Sequence, residues 1–429
     1  MANNSWPPKP VVYTLLGLAF WTLLDLQAIS KFSSDNGRRS LTTTSNISYL
    51  KSESTLLPWA HYNLRSVQER PDPSSETALF WHVPKSGGTT AKQIYQCMGL
   101  TMTIRVGVDP RYGHDQSDEL VVFKPIEGKD WKTVNVDTIS EKGILRAEKM
   151  GLVQSGKADI IFAMDLNFAA NHLFDRINKG RAMAIFRNPV DRLVSKFYYL
   201  QTATWERTYK PEWADMSIIE WAEKHNLDEN FLVKKILGKQ LTDEASMADL
   251  IIAKEIVRRR FIVGLLDEME ESIYRFNVML GVDESDAKNK ECMNELFGTT
   301  KDEGDKSNEA DAAETENAVE INTNSNKHPK VSVPGMQEDI HVLSHLYDTH
   351  AIKTLPLSLQ NLQIVEGSPE YKLLAEKNSL DMILYEYIRL LFKEQRSIIN
   401  RYAKEARVKK SRESSDALTT NVQRERQLR

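Results

Sequence analysis

The chain has 429 residues, 41% of them hydrophobic, which is enough to bury a full-sized core in one large domain or two smaller ones. Its 56 basic and 60 acidic residues nearly cancel to a formal net charge of -4, so no overall field recruits nucleic acid and any basic site must be local. Cys97 and Cys292 are too few for a disulfide scaffold, although an oxidising compartment permits one pair, and no Cys-x-x-Cys or His-Glu-x-x-His spacing points to a metal.

In chain order, a short tail over residues 1–10 leads into an almost continuous apolar stretch from Val11 to Ile29, close to the roughly 20 residues that a membrane span requires. We read it as a signal-anchor, with Asp25 near its far end, where a charge is cheaper than at the centre. A cleaved signal peptide and a buried core helix are the competing readings. Lys9 precedes the stretch and Lys31, Arg38 and Arg39 follow it, so charge bias does not set its orientation. Residues 30–76 are rich in Ser, Thr, Asn and Asp and read as a stem, with Asn46-Ile47-Ser48 as a glycosylation acceptor usable only on the luminal side.

The run Ala78 to Val83 predicts a buried strand, Pro84 to Gly88 a loop, and Thr89 to Met98 a helix with Ile94, Cys97 and Met98 at helical spacing. The same strand-then-helix order recurs at Asp159 to Met164 with Phe168 to Ile177, and at Ala182 to Phe186 with Val190 to Leu200. Alternation of this kind implies an α/β fold, a parallel sheet flanked by helices. Residues 217–260 read as mainly helical, Phe261 to Gly264 as a strand and Asp267 to Leu280 as an amphipathic helix. From about 283 to 335 the composition turns acidic and polar, which predicts a disordered insert. A helix over Leu380 to Ala406 closes the domain that begins at residue 77, and residues 407–429 form a charged tail.

Two segments carry chemistry. In Pro84-Lys85-Ser86-Gly87-Gly88-Thr89-Thr90, the glycines let backbone N–H groups converge on an anion, the helix amino terminus attracts it, the hydroxyls of Ser86, Thr89 and Thr90 donate to it, and Lys85 adds a mobile positive charge. The lysine precedes the glycines, the reverse of a Walker A loop, and no Mg²⁺-binding acidic partner follows a later strand. In the second segment, Arg187 ends a strand, Pro189 opens a helix and Ser195 lies about two turns along it, so Arg187 and Ser195 can converge on a further phosphate. Arg192 reads instead as a structural residue paired with Asp191. Two anion sites imply a doubly phosphorylated nucleotide. Aromatic residues at Tyr198, Tyr199, Trp205, Trp213 and Trp221 offer platforms for sugar rings, with core packing as their ordinary role.

Together the two segments resemble the sulfotransferase family of the P-loop-containing nucleotide-binding superfamily, in particular the Golgi carbohydrate sulfotransferases of the heparan sulfate 2-O and 6-O type. The resemblance spans roughly residues 78–280 and, more weakly, 340–400. It implies a P-loop-type sulfotransferase fold and 3′-phosphoadenosine 5′-phosphosulfate as donor. The donor's 5′-phosphosulfate would lie on Pro84 to Thr90 and its 3′-phosphate on Arg187 and Ser195. It also implies metal-free transfer to a carbohydrate hydroxyl and a membrane-anchored Golgi enzyme with a luminal catalytic domain. Lys85 is then catalytic, stabilising the leaving oxygen. Where the family places a catalytic histidine, this chain has Asp165; His172 and His82 are the other candidate bases. A kinase or NTPase on the same loop, and a glycan-binding relative that has lost catalysis, are the alternatives.

Overall fold

The computed structural model describes residues 56–103, 117–124, 131–204, 209–224, 228–297 and 364–427, all within the second of two compact units, Leu56–Arg429. The 11–29 stretch, the 30–55 part of the stem, Trp205 and the insert from 298 onward lie outside the described residues. No helix among the described residues is long and apolar enough to cross a membrane.

Among the described residues, seven strands form one sheet in the order β3-β4-β2-β5-β1-β6-β7. They are β1 (Ala78–Trp81), β2 (Thr101–Thr103), β3 (Val122–Phe123), β4 (Lys132–Val134), β5 (Ile160–Ala163), β6 (Arg181–Phe186) and β7 (Phe261–Leu265). Every pairing is parallel except that of β3 with β4. β1, β5, β6 and β7 are buried along their whole length, as expected of parallel strands covered on both faces, and this is why they read as unbroken apolar runs. β2, β3 and β4 are short and part polar, and nothing in their sequence predicts them.

Alternate side chains divide the core. Leu79, Trp81 and Val83 enter one apolar cluster, and Ala78 and Phe80 the other. Onto the first face pack α1 (Pro58–Tyr62), α3 (Glu141–Lys149), α4 (Leu166–Leu173), α7 (Phe231–Ile236) and α8 (Met247–Arg260). Onto the second pack α2 (Gly88–Cys97), α9 (Met269–Leu280) and α10 (Ala287–Phe297). A third cluster joins α5 (Pro189–Thr202), α6 (Ile218–Lys224) and α11 (Pro369–Lys377).

α12 (Ser379–Gln427) lies along the outer edge of the sheet, contributing Leu384 and Ile388 to the first cluster and Ile399 and Tyr402 to the second. An exposed strand edge invites unwanted pairing. Here the Gln395 side chain covers it: its amide donates to the Phe261 carbonyl at 2.8 Å and accepts from the Val263 N–H at 3.0 Å.

Three expectations need correction. The stem does not run to residue 76, because Leu56, Trp59, Leu64 and Val67 are buried in the body and Val67 donates its N–H to the Arg259 carbonyl. The predicted disorder does not begin at 283, because α10 is helical and its Cys292 is bonded to Cys97 of α2 across 195 residues. The closing helix does not stop at 406; it continues through most of the charged tail.

A candidate anion-binding active site

The parallel strands end on one edge of the sheet, and the loops that follow β1, β5, β6 and β7 meet there. The chain leaves β1 toward α2 on one face and leaves its neighbour β5 toward α4 on the other. Such a divergence opens a crevice at the strand carboxyl ends, the usual ligand position in an open α/β sheet.

The loop after β1 has the backbone that its sequence requires. Gly87 has φ 85°, and a Cβ there would come within 2.7 Å of Leu266 Cδ1. At Gly88 a Cβ would fall 2.4 Å from the His82 ring, so only glycine lets the loop close over that imidazole. Lys85 is itself left-handed, with φ 64°, a conformation that costs an ordinary residue about 1–2 kcal/mol and that clusters at functional sites. Its ammonium stands 3.9 Å above the centre of the Tyr199 ring.

Arg187 immediately follows β6 beside this loop and donates through Nη1 to the Lys85 carbonyl at 3.2 Å, so the two segments singled out in the sequence meet at one point. Burial pulls the Arg187 pKa below its ordinary value, against the pull of the Asp191 and Asp267 carboxylates nearby. The same burial raises the Asp191 pKa. Asp267, just past β7, also accepts from the Tyr385 hydroxyl at 3.4 Å. Ser195 lies on α5, half-buried, one turn before Tyr199, and residues so spaced share a helix face. Ser195 is therefore on the face of α5 that meets Lys85. Tyr199, Asp267 and Tyr385 join the site by packing; the sequence offered Tyr199 only as an aromatic platform, and Asp267 and Tyr385 only within the span of the family resemblance.

The candidate bases separate. Asp165 follows β5 across the crevice from Lys85, where it caps α4: Oδ1 accepts from the Phe168 N–H at 3.1 Å, and Oδ2 faces Lys235 Nζ at 3.7 Å. His172 is near the far end of α4, against Glu148 at 2.9 Å and the Phe168 ring. His82 abuts Gly88, and desolvation, with Lys92 and Lys85 nearby, lowers its pKa to about 4, so it is neutral at physiological pH.

Arg192 proves structural, but with a different partner. It is buried against the Phe231 ring and faces Asp228 at 3.6 Å, where Asp191 was expected. Trp213 and Trp221 are core residues of the third cluster and offer no sugar platform. No protein-family model matches the chain, and no curated protein matches it.

Proposed function

We propose that the chain is a sulfotransferase that moves a sulfuryl group from 3′-phosphoadenosine 5′-phosphosulfate to a carbohydrate hydroxyl. One observation carries this reading: the Arg187 guanidinium is hydrogen-bonded to the Lys85 carbonyl, so a strand-end arginine and a glycine-rich, lysine-bearing loop form one cationic wall at the switch point of the sheet. The donor's 5′-phosphosulfate lies along Pro84 to Thr90, on the loop N–H groups and the amino terminus of α2, and its 3′-phosphate on Arg187 and Ser195.

The acceptor oxygen attacks sulfur in line, the bond from sulfur to the bridging oxygen breaks, and the leaving phosphate takes that electron pair. Lys85 neutralises the charge growing on the bridging oxygen. Asp165 takes the hydroxyl proton from across the crevice. Little covalent chemistry falls to the protein, so position and charge dominate. The Cys97–Cys292 bond accords with an oxidising compartment, and with the 11–29 segment as anchor we place the enzyme at the Golgi membrane, catalytic body luminal.

Calorimetry with adenosine 3′,5′-bisphosphate, compared with ADP and Mg²⁺, tests the reading. Metal-independent binding that favours the bisphosphate is expected; preference for Mg²⁺-ADP would instead support a nucleotide hydrolase or kinase. Asp165→Asn retains a good helix cap, so it is expected to melt and bind bisphosphate as the parent does while losing roughly 10²-fold or more in transfer rate. Undiminished transfer would move the base elsewhere. Bisphosphate binding without transfer to any of a panel of glycans would mark a non-catalytic relative.

A further inference from the structure

Beneath the loop are two buried polar residues, Ser86 and Lys92, of which the proposed donor contacts use only Ser86. Lys92, in α2, is 3% exposed, and its ammonium has no hydrogen bond or ion pair among the described residues, although, unlike Ser86 Oγ, it is not fully enclosed. Ser86, at the base of the loop, is 1% exposed and its Oγ has no partner. A buried charge without a counter-ion is expensive, and proteins seldom keep one without a use. Lys92 is one helical turn past Gly88 on the same face of α2, and long side chains on a helix lean back toward its amino terminus. The His82 ring packs against Gly88, and the Lys92 charge is near enough to oppose protonation of that ring.

We propose that Lys92 is a further anion-binding residue of the loop, its missing counter-ion being the phosphate or phosphosulfate group that the loop cradles. Desolvation lowers its pKa to about 8, so the ammonium is still mostly charged at pH 7 and is the group most in need of an anion. Lys85 reaches the site from the loop above and Lys92 from the buried side of α2, while Ser86 adds a hydroxyl already stripped of water. His82, held neutral, does not compete for the anion. The inference deepens the sulfotransferase reading and rests on it for the identity of the anion, but not for its chemical class.

The test uses Lys92→Met and Lys92→Arg in the full chain, read by thermal melting and by calorimetry with two probes, adenosine 3′,5′-bisphosphate and inorganic pyrophosphate. Without ligand, Lys92→Met is expected to melt at or above the parent temperature, since a buried unpaired charge has been replaced by an apolar chain. Its bisphosphate affinity is expected to fall at least about tenfold, the scale of one charge-assisted hydrogen bond, while Lys92→Arg keeps most of it. Lys92→Gln serves in its place if the methionine variant does not melt cooperatively, with the same loss expected. Parent-like bisphosphate affinity in the uncharged variants would overturn the proposal. If the parent binds pyrophosphate but not the bisphosphate, the donor reading fails, and loss of pyrophosphate binding in Lys92→Met still upholds the anion site. A parent that binds neither probe overturns both.

Discussion

Lys85→Met is expected to lower the rate of sulfuryl transfer by roughly 10²- to 10³-fold, the usual loss when one preorganised stabiliser of transition-state charge is removed. The same change should weaken adenosine 3′,5′-bisphosphate by only about tenfold, because the former bridging oxygen stays on the 5′-phosphate, where its charge is shared among three oxygens that the loop N–H groups also hold, whereas Lys85 is needed most while the bond to sulfur is breaking. Arg187→Ala should show the opposite balance. It removes a planar fork of donors from the proposed 3′-phosphate site and releases the Lys85 carbonyl, so bisphosphate affinity should fall about 10²-fold, with a smaller additional loss in the rate at saturation. Methionine preserves the length of the lysine chain and inherits the same left-handed backbone at φ 64°, so the melting temperature should barely move. Single-turnover rates and calorimetric binding measured on both variants separate the two roles. Equal losses of rate and affinity in both would mean that the substitutions collapse the loop, and that neither residue has the specific role assigned to it.

What could be read in the sequence follows from what each segment buries. β1, β5, β6 and β7 are enclosed on both faces, so their apolar runs are local signals that no tertiary knowledge is needed to interpret. The loop and the Arg187 segment were legible because glycine, lysine, arginine and proline each had to occupy a particular place at a strand end. The 56–76 stretch was misread because Leu56, Trp59, Leu64 and Val67 are a few apolar residues in an otherwise polar stretch; they are held by partners far along the chain, Gly180 and Arg259 among them. α10 escaped notice because its anchor is a single buried cysteine in a polar, charged helix, and the significance of Cys292 depends on Cys97. Asp165 shows a different limit. Its position after a strand suggested a base, but the same position makes it a helix cap, and one carboxylate can fill both roles only with the oxygen not committed to Phe168.

The misassigned partner of Arg192 leads to the largest expected effect on stability. Asp228 is nearly buried, with Lys196 Nζ at 2.6 Å and Arg192 Nη1 at 3.6 Å on the same carboxylate oxygen, while Nε and Nη2 of Arg192 have no partner. Asp228→Ala would leave the Arg192 charge enclosed with no close counter-ion, a situation that costs about 3–5 kcal/mol. Asp381 is a poor remedy, since its carboxylate is already taken by the Leu232 and Val233 N–H groups at 2.8 and 2.9 Å and burial lifts its pKa to about 6. Asp191→Ala, which removes the partner that sequence proximity suggests, should cost far less. The pH dependence gives a second readout. Although burial pushes the Asp228 carboxyl up, Arg192 and Lys196 outweigh it and hold the pKa below the ordinary 3.8. A depressed carboxylate stabilises the fold above its unfolded pKa and loses that contribution as pH falls through the folded value. The parent should therefore lose stability below about pH 4 by an amount that Asp228→Ala no longer shows. Thermal melts of the parent and the two variants between pH 7 and the acid limit of folding measure both effects. A melting temperature for Asp228→Ala within a degree or two of the parent at pH 7 would mean that Arg192 finds another counter-charge, and that the buried pair is dispensable.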